Sequence, residues 1–111
     1  VLRGGTGATK VDALKYVNDL RRRAYSDKMQ APIGDNDLTL DFLLDERGRE
    51  LFYEAQRRTD LVRFGKYTSG YEWPWKGGIA EGKSVESFYQ IFPLPSDDIG
   101  SNLNLKQNEG Y

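Results

Sequence analysis

The sequence has 111 residues, 38% of them hydrophobic and 30% charged, with 16 Lys and Arg against 17 Asp and Glu for a formal net charge of -1. That length bounds a single domain, and the even charge balance leaves no basic surplus for a nucleic-acid backbone or an anionic membrane surface. The absence of Cys and His removes thiol nucleophiles, disulfides, imidazole bases and zinc-finger ligands together, leaving carboxylates, lysines, tyrosines and hydroxyls for chemistry.

Residues 1–8 are Gly-rich and without period, which reads as a flexible lead-in. The Gly4-Gly5-Thr6-Gly7 string lacks the Lys-Ser/Thr of a phosphate loop. Thr9 is a favoured N-cap with Asp12 three residues on, so a helix is expected over residues 10–25. Ala13, Val17, Leu20 and Ala24 fall on one stripe of it, with Tyr16 beside them, and this stripe is expected to be buried. Arg21, Arg22 and Arg23 suit the negative end of the helix dipole. Pro32, Gly34, Asp35, Asn36 and Asp37 mark a loop over residues 26–37.

A second helix is expected over 40–56, capped by Thr39, with Leu40, Leu44, Leu51 and Ala55 on its apolar side. A short third one is expected over 59–64, stopped by Gly65. Residues 66–86 carry Gly70, Pro74, Gly77, Gly78 and Gly82 and no sustained period, a long irregular loop for a compact domain. From 87 to 111 the chain reads as an extended tail in which Pro93 and Pro95 prevent entry into a central strand, with Ser96 able to cap one helical turn. The fold class expected is therefore mainly α with long irregular loops.

Two constellations could carry function. Glu46, Glu50 and Glu54 recur four residues apart, with Arg47, Arg58, Asp60 and Arg63 close by in sequence. Pairs at three or four residues, such as Arg47 with Glu50 or Asp60 with Arg63, make a charge lattice the economical account. A glycosidase needs two carboxylates facing each other across a cleft at about 5 to 9 Å with separated pKa values, which successive turns of an arginine-laced helix do not offer. The second constellation is Tyr67, Tyr71, Trp73 and Trp75 around Pro74. Such rings either stack on sugars or other flat ligands or anchor the loop by burying themselves.

Residues Glu46 to Lys66 resemble the C-terminal signature of the SusD/RagB family, roughly E-R-x-x-E-L-x-x-E-G-x-R-x-x-D-L-x-R-W-G. Tyr89 to Pro95 and then Asn102 to Tyr111 resemble the family's P-I-P and N-x-x-L-x-Q-N-P-G-Y ending, and Ala13 to Ala24 its preceding A-L-x-x-I-N-x-V-R-x-R-A helix. Ala55 stands where the family commonly has Gly, Phe64 where it often has Trp, and Glu109 where it usually has Pro. Members are several times longer, so residues 9–111 are similar to their C-terminal portion alone; a start at Val1 and a thin expected core agree with that.

The resemblance implies the C-terminal part of a helical fold containing tetratricopeptide-like pairs. It also implies a surface-exposed outer-membrane lipoprotein of Bacteroidetes, without catalytic activity, cofactor or metal. Its implied ligand is an oligosaccharide or other nutrient, and its implied partner a SusC-like TonB-dependent transporter. Membrane contact would come only through a lipid anchor outside these residues. The alternative is a structural or interaction segment of such a protein with no ligand site of its own.

Overall fold

A computed structural model describes residues 1–25, 32–68 and 70–111. The expected loop over 26–37 therefore lies partly outside the described residues. Two units form, residues 1–52 and 53–111. The described residues are mainly helical and contain no strand; an isolated antiparallel bridge joins Trp73 and Lys83. None of their helices is long and apolar enough to cross a membrane.

In the first unit, helix α1 covers Lys10–Tyr25. Its start is a complete reciprocal cap. The Asp12 amide donates to Thr9 Oγ1 at 3.1 Å, while the Thr9 amide and hydroxyl donate to the Asp12 carboxylate at 3.0 and 2.6 Å. These bonds, the hydroxyl's first, hold the Asp12 pKa below its ordinary value.

The buried face of α1 is not the expected stripe. Val17 is buried, but its buried neighbour is Asn18, whereas Tyr16 is 65% exposed, Leu20 41%, and Ala24 is open to solvent. The reason is polar. The Asn18 side-chain amide donates to the Ile33 carbonyl at 3.1 Å and accepts from the Ile33 amide at 2.8 Å, as a peptide unit would. Lys10 adds an ion pair to Asp35 at 2.8 Å. These contacts turn the Asn18 edge inward, and among the described residues of this unit the remaining buried apolar ones are Leu38 and Leu44.

Helix α2, Leu40–Glu50, starts where Thr39 Oγ1 accepts the Phe42 amide at 3.1 Å. It stops six residues short of the expected 56. Tyr53 and Ala55 adopt φ of 65° and 59°, left-handed values that no right-handed helix can include. Ala55 occupying this conformation gives a physical reason for the Gly that the signature favours there.

In the second unit, helix α3 covers Arg57–Arg63 and buries Asp60 and Leu61. Its end is a two-bond glycine stop: Gly65, at φ 70°, donates to Val62 O at 3.1 Å, and Lys66 donates to Leu61 O at 2.8 Å. The tail departs from the extended expectation at Ser87–Gln90, which is a 3-10 turn; the helical turn expected after Ser96 is present as helix α4, Ser96–Ser101, with Pro95 rather than Ser96 at the cap position.

Candidate ligand-binding loop and its supports

The charged residues of α2 make ties to α1 as well as a pair along their own helix. The Glu46 carboxylate accepts from Arg21 at 2.9 Å and from Arg49 at 2.9 and 2.6 Å, and Glu50 pairs with Arg23. Arg21 and Glu46 retain only 11% and 13% of their side-chain exposure, so their mutual attraction acts in a poorly screened place. The Arg21 guanidinium also lies over the Tyr25 and Phe42 rings at 5.1 and 5.6 Å. Of the three arginines that sequence assigns to the helix dipole, Arg21 and Arg23 are thus cross-helix partners, while Arg22 pairs with Asp19 on its own helix at 2.6 Å.

Glu54 departs from the expected row because α2 has ended before it; it is exposed on the turn. Arg47 lines a small apolar cleft of about 130 Å³ with Val17, Leu20, Leu43 and Leu51. Asp60, nearly inaccessible, lies in the first turn of α3, where the dipole favours its charge, and Arg63 is exposed in the last. The arginine-paired carboxylates Glu46 and Glu50 join the two helices. Among the described residues no three acidic, His or Cys side chains gather as metal ligands.

The four aromatic candidates divide three to one. Tyr67, Tyr71 and Trp73 are half-buried, and both tyrosine rings meet Trp73 edge-on, with centroids 6.1 and 5.1 Å away. Trp73 Nε1 is buried without a hydrogen-bond partner among the described residues. Trp75, by contrast, is 72% exposed. The backbone closes between them: Trp73 N donates to Lys83 O at 3.2 Å and Lys76 N to Trp73 O at 3.0 Å. Gly82 is required at this closure, since a Cβ there would come within 1.9 Å of Trp73 O.

Arg58, expected in the lattice, supports this region instead. It donates to the carbonyls of Tyr89 and Gln90 at 2.9 and 3.1 Å and lies over the rings of Tyr67 and Phe92 at 5.0 and 4.1 Å. Those two carbonyls end the Ser87–Gln90 turn, so the guanidinium favours a helical turn over an extended chain there. Gln90 donates in turn to Thr68 at 3.0 Å.

The tail is strapped by side chains that the sequence shows only as motif letters. Gln107 accepts from the Leu94 amide at 2.8 Å and donates to its carbonyl at 2.9 Å, serving both polar groups of the residue between two prolines. Asn108 donates to Phe92 O at 2.8 Å and the Tyr111 hydroxyl to Ile91 O at 2.7 Å. Tyr111 also meets the Phe88 ring edge-on at 5.0 Å. A Cβ on Gly110, whose φ is 97°, would overlap Phe88 at 2.4 Å. An open cleft of about 530 Å³ lies among Ser87, Phe88, Gln90, Ile91, Glu109 and Gly110.

The two ordered motifs of the ending are therefore the two halves of one clamp. The SusD family profile matches residues 4–111. Over 101 residues the sequence is 44% identical to the "Starch-binding protein SusD" of Bacteroides thetaiotaomicron, covering 90% of this chain and 17% of that protein. The chain thus spans less than a fifth of the relative's length. With a match across nearly all of its residues, and with the signature residues building the ties, the glycine stop and the clamp just described, the chain belongs to the SusD family.

Proposed function

We propose that this chain is the C-terminal portion of a non-catalytic glycan-binding protein at the cell surface. The observation that carries the reading is the 44% identity with a starch-binding relative over nearly all of the chain. The local geometry agrees with it: the carboxylates of α2 are held by arginines, and the aromatic loop leaves indole surface exposed. The contact surface within this segment is the loop bearing Tyr67, Tyr71, Trp73 and Trp75. In this reading the protein is an outer-membrane lipoprotein that delivers oligosaccharide to a SusC-like TonB-dependent transporter.

Native electrophoresis of the full-length protein through gels containing neutral polysaccharides tests the binding. Retarded migration in at least one gel, with no release of reducing ends on incubation, is expected. Unchanged migration across starch, dextran, galactomannan and arabinoxylan overturns the reading. Delivery is tested separately, by co-purification of the transporter from outer membranes with the tagged full-length protein.

A further inference from the structure

Trp75 combines three properties that rarely coincide. Its ring is the most exposed of the two indoles, its backbone is left-handed with φ 65° and ψ -1°, and the segment carrying it is locked. The lock consists of the Trp73-Lys83 bridge, of Gly78 N donating to Trp75 O at 3.1 Å and of Gly82 N donating to Ile79 O at 3.0 Å, and Trp73 itself is held by the Tyr67 and Tyr71 rings. Positive φ is disfavoured for every residue with a Cβ, and a bulky one gains nothing from it here, because the ring is not packed into a core. A glycine would suit the turn better.

We propose that Trp75 is a stacking platform for one pyranose ring of a neutral glycan, with Trp73, Tyr67 and Tyr71 as its scaffold; this rests on the glycan-binding reading above. Size selects the ligand class. A protein partner buries on the order of 800 Å² per side and needs contiguous apolar surface, whereas residues 74–83 add only Ile79 and Ala80 to the exposed indole. The rest of the tip is glycine, proline and charge. One indole face matches the C–H face of one sugar ring. Charge selects within that class: Glu72 and Glu81 balance Lys76 and Lys83, all exposed, so the tip has no net field to attract an anion yet offers donors and acceptors to hydroxyls.

The test uses the full-length protein and its Trp75→Ala, Trp75→Gly and Trp75→Phe variants in gels of soluble starch, dextran, galactomannan and arabinoxylan, with thermal unfolding of each. In the gel that retards the wild type most, the Ala and Gly variants are expected to bind on the order of tenfold more weakly and the Phe variant to keep most of the binding. Trp75→Gly is expected to unfold no earlier than wild type, because it relaxes the left-handed residue. Equal retardation of wild type and Trp75→Ala overturns the platform and leaves the glycan reading intact. Earlier unfolding of Trp75→Gly overturns it too, by showing that the ring is an anchor. Failure of the wild type to be retarded in any gel removes both.

Discussion

The two units solve the same problem, few buried apolar residues among those described, by different means. Residues 1–52 join two helices through charge: Arg21 with Glu46 and Arg23 with Glu50. Residues 53–111 hold loops together with aromatic edges, one guanidinium and amide side chains bonded to backbone. Each unit nonetheless repeats one device. Asn18 on Ile33 and Gln107 on Leu94 place a side-chain amide where a neighbouring strand would be, donating and accepting at once. The lesson is that extended backbone is satisfied without strands among the described residues, provided Asn or Gln arrives at the right place.

The sharpest way to break this contrast is to remove Glu46. Glu46→Ala leaves Arg21 in a poorly solvated position without its carboxylate, and α1 and α2 should lose about 3 kcal/mol. In hydrogen exchange on the full-length protein, amides of these helices should exchange roughly a hundredfold faster while those of 87–111 stay unchanged. A loss spread evenly over both units contradicts the division. Next in size, Gln107→Ala orphans the Leu94 N–H and C=O and should cost about 2 kcal/mol, read as faster exchange confined to residues 91–111. Gln107→Glu keeps the acceptor but loses the donor and should fall between wild type and Ala.

What the sequence shows and what it hides follows from range. The Thr9 and Thr39 caps and the Gly65 stop are legible because donor and acceptor lie within five residues. Arg21 and Glu46 are 25 residues apart, and no periodicity shows which glutamate an arginine triplet will meet; local spacing offers Arg47 and Arg49 equally well. Asn18 was hidden for the same reason, and with it the rotation of the α1 buried face. In the aromatic loop the four rings were legible as a group, but their separation into a packed triad and one exposed indole depends on the closure at Trp73 and Lys83, 10 residues apart. Residue types carry the candidate site, and loop closure decides which of them face solvent.

A smaller effect probes the junction at which α2 ends. Ala55→Gly removes a Cβ from a left-handed residue and should raise stability by about 1 kcal/mol, seen as later thermal unfolding of the full-length protein. A decrease would show that the methyl group packs against something more valuable than the conformational relief.

The smallest expected effect is electrostatic and confined to the α1 start. The Thr9 hydroxyl and amide hold Asp12 below its ordinary value of 3.8, so the folded state binds the Asp12 proton less readily than the unfolded one. Its contribution is fully present above that ordinary value and is lost as pH falls through the lower folded one. Asp19 behaves alike, lowered first by the hydrogen bond from Lys15 at 2.7 Å, whereas Lys15, raised by the same partner, loses its contribution only far on the alkaline side. Amides of residues 10–14 should therefore lose protection on acidification below pH 4, and Thr9→Val should remove most of that acid dependence while leaving the dependence around residues 15–22 in place. Identical acid profiles for wild type and Thr9→Val would show that the helix start is held by something other than this reciprocal cap.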